Sequence, residues 1–140
     1  MHRVLQNWLA GLGWLCGGNP QLSLGRRGER AAAKHLKRVG YRVVARNLRC
    51  KVGEIDLLAE APDGRTVVVV EVKAGRGGAL PPEIRVGAAK QRKLTQLAVR
   101  LIRRYRLHDR PMRFDVVGVD LPDRGKPTIR HHVGAFESRV

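Results

Sequence analysis

The stretch from Arg65 to Lys73, RTVVVVEVK, constrains this chain more than any other. From Val67 to Val72 every residue is apolar except Glu71. β-branched valine suits a pleated, well-covered strand. Strand side chains alternate with a period of two, so Glu71 and Lys73 share one face. An ionised carboxylate on a buried strand is costly unless it is paired or coordinates a cation. The rest of the sequence is read for what supplies that partner.

Turn chemistry at Pro62-Asp63-Gly64 precedes the strand, and Val52–Glu60 precedes the turn. The two strands are expected to form a hairpin. With a four-residue loop from Pro62 to Arg65, Ala61 pairs with Thr66. That register sets Asp56 opposite Glu71 and Glu54 opposite Lys73, whereas a slip of one residue separates the pairs. Upstream, Tyr41–Cys50 is expected to be a further strand. Gly28–Val39 is expected to be a helix stopped by Gly40, with Ala32, Ala33, Leu36 and Val39 as its core stripe. At 100° per residue Glu29 falls on that inward stripe. A first-turn acid favoured by the helix dipole is the plainer account of it.

Downstream, Ala74–Pro82 is rich in Gly and Pro and is expected to be a mobile loop. Val86 to Arg106 reads as a long helix whose apolar stripe is Leu94, Leu97, Ala98, Leu101, Ile102 and Tyr105. Lys93, Arg100, Arg103 and Arg104 fall on the opposite side. Lys90 continues the apolar stripe and is expected to point at the sheet, as a snorkelling lysine also would. Arg113–Val119 and Thr128–Val133 are expected as the last two strands. The order helix, three strands, helix, two strands implies an α/β fold, a mixed sheet of about five strands flanked by helices.

A chain of 140 residues fits one domain. Residues 23–140 are assigned to it, and residues 1–22 to an N-terminal extension. Val4, Leu5, Trp8, Leu9, Leu12 and Leu15 in that extension fit a helical stripe, and Gly17 to Pro20 a linker. No apolar run approaches the ~20 residues of a membrane span. Cys16 and Cys50 have neither disulfide nor metal spacing and read as reduced thiols of a cytoplasmic protein. Twenty-eight Lys and Arg stand against twelve Asp and Glu, a formal charge of +16. Ten basic residues and one acid, Asp109, lie between Arg85 and Arg113. Such an imbalance points to a polyanionic partner, nucleic acid before a membrane surface. Few aromatics are placed for stacking, which favours backbone contacts to duplex over single-strand reading.

Carboxylates brought together by a hairpin and a helix repel unless a cation sits among them. Hard oxygen donors suit Mg²⁺ or Mn²⁺. His2, His35, His108, His131 and His132 have no ligand spacing with the cysteines, which disfavours zinc. The chemistry permitted is metal-assisted phosphodiester hydrolysis, with Lys73 orienting a water or stabilising pentavalent phosphorus.

Several motifs occur in order. They are Gly25 to Ala32 (GRRGERAA), Gly40-Tyr41, Arg46-Asn47, Gly53 to Leu57 (GEIDL), Val70 to Lys73 (VEVK), Lys90 to Leu94 (KQRKL), Arg113 to Val117 (RFDVV) and Ala135-Phe136. Together they resemble the YraN family of small bacterial proteins, from about Leu24 to Phe136. That family is similar to the PD-(D/E)XK nucleases and, among them, to archaeal Holliday-junction resolvases. The resemblance implies a restriction-endonuclease-like fold, with Glu29, Asp56 and Glu71 around a Mg²⁺ or Mn²⁺ ion and Lys73 as the catalytic lysine. Ile55 stands where the superfamily has proline, and Gly75 where the family often has arginine, with Arg76 next. Arg76, Lys90, Arg92 and Lys93 are the expected nucleic-acid contacts. A branched or damaged DNA substrate and a homodimer follow from the resolvase likeness, because a junction has two symmetric cuts. Three readings stand at this point: a metal-dependent nuclease, a non-catalytic nucleic-acid-binding module on a nuclease-like fold, and a docking protein that uses Trp8 and Trp14.

Overall fold

The computed structural model describes residues 15–16, 24–76 and 86–137. The elements are β1 (Leu15–Cys16), α1 (Leu24–Arg38), β2 (Arg42–Cys50), β3 (Gly53–Glu60), β4 (Val67–Arg76), α2 (Ala88–Tyr105), β5 (Met112–Leu121) and β6 (Thr128–Phe136). One sheet runs β1 to β6 in sequence order. All neighbours are antiparallel except β4 and β5, which are parallel. A parallel pair needs a crossover, and α2 supplies it. This is the expected mixed α/β sheet, five long strands with a two-residue strand added at one edge.

The valine run of β4 divides the core. Val67 and Val69 pack with Leu94, Leu97, Ala98 and Leu101 of α2. Val68 and Val70 pack with Ala32, Ala33 and Leu36 of α1. The period of two thus feeds both faces, and one helix covers each. Valine at all four positions follows from burial on both sides. At ~25 cal/mol per Å² of apolar surface removed from water, these side chains are a large part of what holds the layers together.

The hairpin register is as the turn chemistry predicts. Asp63 Oδ1 accepts the Arg65 and Thr66 N–H groups at 2.8 Å each, and its Oδ2 accepts the Thr66 hydroxyl at 2.5 Å. These bonds, the Thr66 hydroxyl first, hold the Asp63 carboxyl down at about 2. The Ala61 N–H donates to Thr66 O at 2.9 Å, and the ladder then runs from Glu60↔Val67 to Leu57↔Val70. At the turn end of β3, Arg110 ties Glu60 (2.8 Å) to the Arg65 carbonyl (2.8 Å).

Four expectations need correction. α1 begins four residues before Gly28, because Leu24 packs on the α1-side core. Val39 is not in the core stripe; it is 45% exposed, since the helix ends at Arg38 and Gly40 turns the chain with φ 95°. Ala74–Arg76, read as loop, continue β4 in parallel register with Val119–Leu121. The rest of that loop, the amphipathic stripe from Val4 to Leu12 and the linker at Gly17 to Pro20 lie outside the described residues. Leu15, assigned to that stripe, pairs instead as a strand with Arg49.

A candidate metal centre where two strands part

The β3–β4 ladder stops at Leu57↔Val70, one step before Asp56 would face Glu71. There the Val72 N–H donates to Asp56 Oδ2 at 2.8 Å. A side chain has replaced a main-chain acceptor, and it lies between the two strands. Around this point four carboxylates gather. Glu29, Glu54 and Asp56 each offer an oxygen within 4.8 Å of the others. Glu71 stands beside Asp56, close enough for the charge of each to act on the other. Helix α1 brings Glu29, and its closeness depends on Gly28. A Cβ built at Gly28 would stand 2.5 Å from the Ala74 Cβ, so α1 and β4 touch at backbone distance.

Two lysines flank Glu71. Lys73 Nζ stands 3.6 Å from Oε1 and Lys90 Nζ 3.6 Å from Oε2. Lys90 therefore does point from α2 to the sheet, as its place on the apolar stripe predicts. Neither distance is a hydrogen bond. Glu71 Oε2 is buried and has no hydrogen-bond partner. Burial first, then the Asp56 carboxylate, push the Glu71 carboxyl up to about 7 against both lysines. Burial also raises Asp56, opposed by the Val72 N–H. Burial and then Asp56 raise Glu29, opposed by Arg26 at 3.3 Å. Glu54 is paired with Arg49 at 3.3 Å on β2.

The expected residues are thus brought to one place: Glu29, Asp56, Glu71, Lys73 and Lys90. Glu54 was on the expected face, but its approach to Glu29 depends on the seat of α1. Arg76 is exposed at the end of β4, and Arg92 is exposed on α2. Lys93 departs from the expectation that it points away from the sheet. Its head is exposed, but its stem crosses Gly53, where a Cβ would meet Lys93 Cδ at 3.0 Å.

Another buried carboxylate has a role that its sequence context did not reveal. Asp115 on β5 is 0% exposed. Its Oδ1 accepts from Arg113 Nε (2.8 Å) and the Gly134 N–H (2.9 Å). Its Oδ2 accepts from an Arg113 terminal nitrogen (3.0 Å) and lies 2.8 Å from His131 Nε2. Arg113 also donates to the Tyr41 hydroxyl at 2.8 Å. Burial alone would raise the Asp115 carboxyl, but His131, Arg113 and the Gly134 N–H hold it below the usual range. The signal was the one that marked Glu71, a single acid inside an apolar run, here Phe114 to Val119.

No helix among the described residues is long and apolar enough to cross a membrane. The molecule is an α/β protein whose mixed sheet opens, between β3 and β4, onto an acidic cluster flanked by lysines. The chain belongs to the uncharacterised protein family UPF0102, whose model matches residues 28–119. A UPF0102 protein of Pelobacter propionicus is 45% identical over 114 residues, 81% of each chain. One of Symbiobacterium thermophilum is 44% identical over 116 residues, 82% of this chain and 97% of its own. One of Geobacter sulfurreducens is 41% identical over 115 residues, 81% of this chain and 88% of its own. The motifs from Gly28 to Val117 that carried the YraN resemblance lie within the matched range.

Proposed function

We propose that this protein is a metal-dependent nuclease that hydrolyses phosphodiester bonds in DNA, with branched or damaged DNA as the substrate class. The observation that carries this reading is the gathering of Glu29, Glu54 and Asp56, with Glu71 beside Asp56 and Lys73 beside Glu71, on a chain of charge +16. The residues fit Mg²⁺ or Mn²⁺. All donors are hard oxygens, the carboxyls are raised by burial and by one another, and Glu71 Oε2 is buried without a hydrogen bond. Glu29, Asp56 and Glu71 would hold a divalent ion, which when bound would supply Lewis acidity toward a phosphate oxygen and toward a water.

The chain's own groups have separate tasks. Asp56, fixed by the Val72 N–H, and Glu29, carried by α1, set the donor positions. Lys73 is 42% exposed at its side chain, so its ammonium can reach a water or a phosphate while leaning on Glu71. There it orients the attacking water and holds charge that builds on phosphorus. Lys90, from the other side of Glu71, meets the substrate phosphate. Arg76, Arg92 and Lys93 extend the positive field along the DNA backbone.

The test is incubation with linear, nicked, flapped and four-way DNA in Mg²⁺ or Mn²⁺. Cleavage is expected on at least one substrate, with Lys73→Ala lowering the rate at least a hundredfold while DNA binding persists. No cleavage of any substrate, with DNA binding unchanged in Asp56→Ala, would establish a non-catalytic binding module instead.

A further inference from the structure

Asn47 breaks the regularity of β2 in a way that strand pairing does not require. Arg46 pairs with Leu57 and Leu48 with Ile55, so Asn47 falls opposite Asp56, yet it makes no pair of its own. Its φ is 51°, in the left-handed region. Asparagine tolerates that conformation better than most residues, at a cost. Asn47 is also 8% exposed, and its Oδ1 is buried without a hydrogen-bond partner. Its side chain stands against the Glu29 carboxyl and lowers it against the effect of burial. An ionised carboxylate only accepts, so the amide end at Glu29 is the NH₂ group, and the oxygen is the end left over. Backbone strain and an orphaned buried acceptor therefore meet on one residue, beside three carboxylates. Strain of this kind persists where the surroundings hold it, and it concentrates at functional sites.

Hard divalent cations take about six oxygens and mix carboxylates with amide carbonyls and water. Glu29, Glu54 and Asp56 provide three carboxylate oxygens. Asn47, opposite Asp56 and against Glu29, carries a neutral oxygen that nothing else satisfies. We infer that Asn47 and Glu54 belong to the cation site: Asn47 positions Glu29 through its NH₂ and offers Oδ1 to the ion, and Glu54 is a carboxylate ligand beside Glu29 and Asp56. The inference rests on the reading that this cluster takes Mg²⁺ or Mn²⁺, and it adds two residues to those assigned there. The competing account makes Asn47 a buried irregularity of β2 and Glu54 the partner of Arg49 alone.

Mn²⁺ binding to the whole chain, by calorimetry or by loss of the free-ion electron paramagnetic signal, separates the two accounts without an activity assay. Asn47→Gly accepts the positive φ and removes both amide groups. It is expected to fold, by circular dichroism, and to bind Mn²⁺ at least tenfold more weakly, the loss typical for removal of a supporting polar group at a metal. Asn47→Asp keeps an oxygen in place and is expected to bind within threefold of wild type or more tightly. Glu54→Gln is expected to weaken binding at least tenfold, whereas Arg49→Ala is not. Wild-type Mn²⁺ affinity in Asn47→Gly, or in Glu54→Gln, overturns the assignment of that residue. Binding by Asn47→Asp as weak as by Asn47→Gly overturns the role of the oxygen. If Asn47→Gly does not fold, Asn47→Ser, which shortens the side chain, takes its place in the same comparison. Asp56→Asn tells the two levels apart. Loss of Mn²⁺ there, with none in Asn47→Gly or Glu54→Gln, removes this inference and leaves the cation reading standing. A wild-type chain that binds no Mn²⁺ overturns both.

Discussion

Glu71 and Asp115 are carboxylates on adjacent valine-rich strands, both nearly or wholly buried, with opposite electrostatics. Glu71 has two ammonium groups at 3.6 Å and an acidic neighbour, so its carboxyl is raised to about 7. Asp115 has Arg113, His131 and a main-chain N–H at 2.8 to 3.0 Å, and its carboxyl is lowered. The difference is direct hydrogen bonding, which favours the charged form where distant charge does not outweigh burial. Asp115→Asn strands Arg113 and His131, and we expect it to destabilise the fold by about 3 kcal/mol at pH 7, measured by urea unfolding. The folded pKa of Asp115 lies below the unfolded value of ~3.9, so its contribution is complete above that pH and is lost as pH falls through the folded value. The cost of Asp115→Asn is therefore expected to shrink at pH 2.5. An equal cost at both pH values would show that the carboxylate charge is not what holds β5 to β6.

At the scale of elements, the site depends on how closely α1 lies on β4. Gly28 and Ala74 set that distance, and neither atom in the contact belongs to a flexible side-chain end. Gly28→Ala gains helix propensity of up to ~1 kcal/mol but forces the helix off the strand. Overpacking of this kind costs about 1–3 kcal/mol. A net loss of ~1 kcal/mol is expected by urea unfolding, together with weaker Mn²⁺ binding, because Glu29 rides on the next residue. Gly28→Ala with Ala74→Gly is expected to recover both. Failure of the double variant to recover stability would place the cause elsewhere. The hairpin is the opposite case: Asp63 accepts from Arg65 and Thr66 within four residues, so its register was legible in the sequence. The inward turn of Glu29 and of Lys90 was also legible, from helical periodicity. Neither Gly28's contact nor Asn47's place opposite Asp56 has a local sequence signal of that kind.

For the whole molecule, charge matters most. The proposed function requires that a +16 chain with basic residues on α2 and at the end of β4 bind a polyanion with displacement of counterions. In EDTA, duplex DNA affinity is expected to fall steeply with salt, and Arg92→Ala with Lys93→Ala is expected to reduce the log–log slope by about 2. An unchanged slope would place the DNA path off α2. By itself the sequence determined what is local: strand and helix periods, the turn that sets the hairpin register, the valine run, and the net charge. Those follow from neighbours within a few residues. Only the tertiary structure decided how closely α1 approaches β4, that Glu54 closes on Glu29, that Asn47 is left with an unsatisfied oxygen, and that Asp115 finds His131 across a strand. These contacts join residues far apart in the chain, and their distances are set by packing of the layers rather than by any pattern within one of them.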